Sequence, residues 1–184
     1  MSYQEYTIEV SGLTFKVEYD RDDSMLAPWR EEDGHGPVSD WERRDKKPGE
    51  LVLYGDGRSK RFYDFAAACR IARRDGWDAE PHNTGNETPR QQAAKAARAD
   101  FERMRAWCNG DWGYVGVIVK LLDDEGEETG EADSILGIES DAYEYLEETA
   151  RELAEGLAEN IRKVSDYRRE GRIVRDAMID SRSV

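Results

Sequence analysis

The run WGYVGVIVKLL, Trp112 to Leu122, is the most strand-like in the chain, β-branched or aromatic along most of its length. It leads into DDEGEETGEAD, Asp123 to Asp133, and then into SILGIES, Ser134 to Ser140. Two apolar runs joined by a polar, glycine-containing link predict a β-hairpin with acidic residues at its tip. On the N-terminal side, Tyr6, Ile8 and Val10, then Leu13, Phe15, Val17 and Tyr19, alternate with polar residues around Ser11-Gly12. That period predicts a second hairpin, with strands at about 4–10 and 13–20. On the C-terminal side, Tyr143, Leu146, Ala150, Leu153, Leu157, Ile161 and Val164 step by three and four. They predict the longest helix, opening at Ser140 or Asp141 with these residues on its buried face.

Between the hairpins, residues 21–50 are polar and interrupted by Pro28, Gly34, Gly36, Pro37, Pro48 and Gly49, which predicts a long loop pinned by Trp29 and Trp41. LVLY, 51–54, is a short strand, and GDGRSK a turn. RFYDFAAACRIARRDGW, 61–77, has Phe65, Ala68, Cys69 and Ala72 at helical spacing before Gly76. Thr88-Pro89 offers a cap and a first-turn proline for a further helix to about Cys108, burying Ala94, Ala97, Phe101, Met104 and Trp107. After about 168 the chain turns basic, and the tail from about 170 suits a short helix or a loose end. With 184 residues, 38% of them apolar, the chain is long enough for one core. The expected fold is a single α+β domain over 1–184: an antiparallel sheet from two hairpins and a short strand, packed by about three helices.

Charge is the most uneven property. The net formal charge is −14. From Lys120 to Asn160 there are fifteen acids against Lys120 and Arg151, so this segment alone accounts for −13. High-salt adaptation spreads acids over a whole surface, and solubility needs about half this charge. Neither explains a cluster, in which like charges one helical turn apart repel by a few tenths of a kcal/mol per pair, on the order of. Asp141, Glu144, Glu148, Glu152, Glu155 and Glu159 also step by three and four, roughly opposite the apolar stripe. Together with Asp123, Asp124, Glu125, Glu127, Glu128, Glu131 and Asp133 of the hairpin, they are the candidate partner-binding residues. A row of carboxylates can stand in for a row of phosphates before a basic groove, since charge dominates that attraction. Nucleic acid itself would be repelled by this face.

Basic residues cluster elsewhere, at Arg58, Lys60, Arg61, Arg70, Arg73 and Arg74, and at Arg90, Lys95, Arg98, Arg103 and Arg105. Their expected role is a solvated, internally paired surface, with head-to-tail self-association as an alternative. His35 and His82, the two histidines, fall in turn-rich segments and are expected on loop surfaces, away from metal-ligand spacing. Cys69 and Cys108 read as reduced, buried small residues. The acidic hairpin fails as a calcium loop, because neither Gly126 nor Gly130 at the sixth position leaves a closing glutamate in place. GxSxG, HExxH and glycine-rich phosphate-loop patterns are absent. No catalytic residue, cofactor or metal is expected. With no apolar run near membrane length and no signal-like N-terminus, a cytoplasmic location and no membrane partner are expected.

RFYDFAAACRIARRDGW, ARADFERMRAWCNGDWGYVGVIVKLLDDEGEET and LGIESD, within about residues 50–160, resemble small acidic proteins encoded by bacteriophages and prophages. The resemblance carries no catalytic motif. It implies a setting in which such proteins bind host proteins, including inhibitors of restriction and of CRISPR complexes, some of which imitate DNA. The function expected is therefore a non-enzymatic inhibitor docking its carboxylates on a basic, nucleic-acid-binding host protein. The alternatives are a small enzyme or ligand-binding protein using the 21–50 loop with His35, Trp29 and Trp41, and a structural or self-assembling phage protein.

Overall fold

The computed structural model describes residues 5–77 and 87–180, with side chains described as far as Arg169. The chain is α+β and divides into two compact units: Met1–Asp22 with Tyr114–Val184, and Asp23–Gly113. The second unit is thus an insertion between two strands of the first.

In unit 1, β1 (Glu5–Val10) and β2 (Leu13–Arg21) form the first expected hairpin. Ser11 and Gly12 turn the chain with φ of 54° and 77°, the left-handed pair that a two-residue hairpin loop requires. β5 (Tyr114–Leu122) pairs antiparallel with β2, Phe15 opposite Leu121 and Arg21 opposite Val115, and its other edge pairs with β6 (Glu128–Glu139). The sheet order is β1-β2-β5-β6. Alternation sends Phe15, Val17, Val117 and Val119 to one face, where Leu146, Ala150, Ala154 and Leu157 of α4 (Tyr143–Asp180) cover them. Alanines at 150, 154 and 158 let the helix lie close to the strands, and all three are buried.

Four details depart from expectation. The helix opens at Tyr143, after a turn closed by Ala142 N–H on the Glu139 carbonyl. Tyr143 and Val164, expected in the buried stripe, are 69% and 49% exposed, because the sheet supports the helix only from Leu146 to about Ile161. Beyond that the helix continues unbroken to Asp180, for a total of about 57 Å at about 1.5 Å per residue, and Arg162 through Arg169 are all exposed. β6 also begins earlier than the apolar pattern indicates, so much of the acidic link is strand. No described helix is long and apolar enough to cross a membrane.

In unit 2, β3 (Glu50–Gly55) pairs with β4 (Lys60–Asp64), making a second, two-stranded sheet. β4 lies where the sequence reads as the start of a helix. Phe62 and Tyr63 are both fully buried, so the alternation that marks a half-buried strand is missing. The helix starts one strand later: Asp64 accepts the N–H of Ala67 at 2.8 Å and caps α2 (Phe65–Asp75). α3 (Pro89–Asn109) has the expected cap, a capping box between Thr88 and Gln91 with Pro89 in the first turn. It buries Ala93 and Ala96 beside Ala97, Phe101 and Met104, while Ala94 is only half-buried. The 21–50 segment holds a short helix, α1 (Pro28–Glu31), and then runs along β4 through bridges Val38–Tyr63 and Glu42–Lys60.

Candidate functional site

The charge belongs to unit 1, which has 24 acids against 11 bases, whereas unit 2 has 17 against 16. Within unit 1 the two sides of the sheet treat their charges differently. On the side away from α4, Lys16 and Lys120 stand directly opposite each other, a repulsive register for like charges. Glu18 resolves it by bridging them, 2.5 Å from Lys16 Nζ and 2.8 Å from Lys120 Nζ. Glu5 adds a contact to Lys16 at 3.3 Å, and Glu128 reaches both lysines at 3.4 and 3.3 Å. The lysines hold the Glu18 carboxyl below its usual range, Lys120 foremost, and Glu18 raises both ammonium groups in return. Glu128, a candidate partner residue from sequence, is thus part of an internal ladder.

On the α4 side the only such compensation among the described residues is at one end of the stripe. Glu144, Glu148, Glu152, Glu155 and Glu159 fall within an arc of roughly 80° at about 100° per residue, turned away from the buried stripe. They extend along about 22 Å of axis at about 1.5 Å per residue. All are exposed. Glu159 pairs with Lys163 at 2.8 Å, and its carboxyl is lowered accordingly. Glu144, Glu148, Glu152 and Glu155 have no ion-pair partner within 4 Å among the described residues, and neither has Arg151 beside them. Asp141 lies outside the helix, in the turn before it.

The hairpin acids divide by role. Asp123 closes the β5–β6 turn, accepting the N–H groups of Glu125 and Glu127 at 3.0 and 2.8 Å, which is a structural use of the carboxylate. Asp124, Glu125 and Glu127 are exposed at the tip. Asp133 is paired with Val119, whose side chain lies in the core beneath α4, so Asp133 stands on the helix side of the sheet edge, whereas Glu131 lies in the irregular stretch between the Ala132 and Glu128 pairings. They also guard that edge, since charged side chains on an outer strand oppose pairing with another chain. The structure therefore places the α4 stripe and the edge acid Asp133 on the helix side of the unit 1 sheet, and Glu128 on the other.

The loop alternative centres on a group that the sequence reading placed at the surface. His35 is drawn in against α3, its Nδ1 2.6 Å from Asp100 Oδ1 and its side chain 17% exposed. Asp100 Oδ2 accepts the Gly36 N–H at 2.8 Å and the Tyr63 hydroxyl at 2.6 Å. The hydrogen bond that Nδ1–H donates to Asp100 raises the imidazole pKa, against the opposing effect of burial, with Glu32 adding to the rise. His35 Nε2 is sealed from solvent and faces Glu32 Oε2 at 3.7 Å, so the arrangement pins the loop to α3 between two carboxylates. The only sequence signal for it was the pairing of a lone His with a lone Asp 65 positions away, which no spacing rule connects. His82 lies outside the described residues. Cys69 and Cys108 are free and half-buried, and burial pushes both thiols up, Cys108 to about 11. Among the described residues no cluster of three or more His, Cys, Asp or Glu could hold a metal ion. Comparison of the chain with protein-family models, curated proteins and solved structures finds no match.

Proposed function

We propose that unit 1 is an acidic docking module that occupies the basic, nucleic-acid-binding surface of a partner protein and blocks it without chemistry. The observation that supports this most is the row Glu144, Glu148, Glu152 and Glu155: exposed, fixed on a packed helix and without a cation partner within 4 Å among the described residues. Five carboxylates over about 22 Å are roughly one per 5–6 Å, thinner than the about 3.4 Å per charge of one nucleic-acid strand. The helix alone is an incomplete substitute, and the acids of the hairpin and edge, Asp124, Glu125, Glu127, Glu131 and Asp133, supply the remainder. In the phage setting that the resemblance implies, the partner is a host defence protein and the outcome is inhibition.

Affinity capture from host lysate at low salt, using wild type and the quadruple Glu→Gln variant at 144, 148, 152 and 155, tests the reading. A nucleic-acid-binding protein retained by wild type, displaced by duplex DNA and lost with the variant supports it. Capture that survives the variant, or that is insensitive to ionic strength, rejects it, because exposed charge pairs are screened within about 8 Å at physiological salt.

A further inference from the structure

The aromatic groups that the acidic face leaves without a role gather on unit 2. Pairing of Glu42 with Lys60 carries Trp41 alongside β4, where its ring meets that of Tyr54 at 5.9 Å and 67°. Arg61, the cross-strand partner of Tyr54, sets its guanidinium 5.2 Å from the Trp41 ring centre and 5.7 Å from that of Trp29, and donates to the Ser39 carbonyl. The rings are held in place, yet Trp41 is 43% and Tyr54 40% exposed. Water-facing aromatics fixed by an arginine beneath them are poor core material and good stacking surfaces.

The charge around them favours anions. Trp41 to Arg61 contains seven bases and four acids. Two of those acids, Glu42 and Glu50, are both held by Arg44, at 2.5 and 2.6 Å. A third, Asp56, accepts the N–H groups of Ser59 and Arg58 to close the β3–β4 turn. Arg43, Arg58 and Lys60 have no carboxylate within 4 Å among the described residues.

We propose that this surface binds single-stranded nucleic acid, with Trp41 and Tyr54 stacking unpaired bases and Arg43, Arg58 and Lys60 taking the flanking phosphates. A single strand is the occupant that uses both features, because its bases are free to stack and its backbone is anionic. A duplex hides its base faces. An acidic peptide would engage the cations and leave the rings idle. The residues of this site all belong to unit 2, and the acidic stripe of α4 belongs to unit 1.

The test is fluorescence anisotropy of the full chain with a labelled oligothymidylate of about 16 nucleotides, the upper end of a single-module footprint. Binding is expected at about 50 mM salt, with a log–log salt slope of about −2 for three phosphate contacts. Trp41→Ala should weaken it about tenfold, while Trp41→Phe keeps most of it. Arg43→Glu with Arg58→Glu should abolish it, and the quadruple Glu→Gln variant of α4 should retain it. No binding of the oligonucleotide overturns the proposal. So does equal binding of a polyglutamate peptide, or an affinity unmoved by Trp41→Ala. If that variant does not fold, Tyr54→Ala and quenching of wild-type tryptophan fluorescence by the oligonucleotide decide in its place, absence of quenching counting against the site.

Discussion

His35 and Asp100, 65 positions apart in sequence, meet at 2.6 Å and fasten the loop that follows β2 to the third helix. The carboxylate favours the protonated imidazole, so the folded pKa lies above its ordinary value. The stabilisation is therefore complete below about pH 6.5, the unfolded value, and is lost as pH rises through the folded pKa. Urea midpoints should fall between mildly acidic and alkaline pH in wild type. The part of that fall due to this pair should disappear in His35→Gln and in Asp100→Asn.

The same carboxylate explains why position 36 is glycine. A Cβ there would come within 2.4 Å of Tyr63 Cζ and Oη. Tyr63 cannot retreat: it is fully buried and its hydroxyl is bonded to Asp100 and to the Ala97 carbonyl. Gly36→Ala should cost on the order of 2 kcal/mol or more by overpacking. Tyr63→Phe, which removes only the hydroxyl, should cost about 1 kcal/mol. Equal midpoints for the two would show that the loop moves aside instead.

Glu18 carries an acid dependence of opposite sign. Its carboxyl is depressed by Lys120 and Lys16, so the stability it contributes is present above about pH 4.5 and is lost as pH falls through the folded value. Glu18→Gln should leave the two facing lysines bridged only by Glu128, at 3.4 and 3.3 Å. The expected cost is about 1 kcal/mol or less at neutral pH, shrinking in acid, as read from urea titrations at both.

The two hairpins and the three longer helices were legible because each buries one face, and burial on one face imposes period two or 3.6 on the sequence. β4 was not, since Phe62 and Tyr63 are both buried and erase the alternation. The first half of β6 was not, since none of its side chains from Glu128 to Asp133 is buried. Periodicity also overran the helix at both ends: Tyr143 and Val164 continue the stripe in sequence but pass beyond the sheet. For the acidic face, sequence supplied the residues and their helical phase. It could not separate Glu128, tied to lysines from two other strands, or Asp123, closing a turn, from acids left without cations.

That overrun is measurable. Leu157→Ala, in the packed part of α4, should cost roughly 2–4 kcal/mol, whereas Val164→Ala, seven residues on at the same phase, should stay within about 0.5 kcal/mol. A large loss at Val164 would mean that something covers the exposed end of the helix in solution.

The acidic stripe should reveal itself as a local destabiliser. Glu144, Glu148 and Glu152 follow one another at i, i+4, the spacing at which like charges on a helix oppose folding. Among the described residues Arg151 forms no ion pair within 4 Å to relieve them. Glu148→Gln removes two repulsive neighbours at once and leaves the buried face untouched, so it should raise stability by a few tenths of a kcal/mol at low salt. The gain should vanish near 1 M salt, where screening acts within about 3 Å. A residue whose neutral replacement stabilises the fold is not held in place by folding, which leaves its carboxylate free for a binding surface. If Glu148→Gln destabilises the helix instead, and does so equally at low and high salt, the carboxylate is serving the fold and the docking face loses a central member.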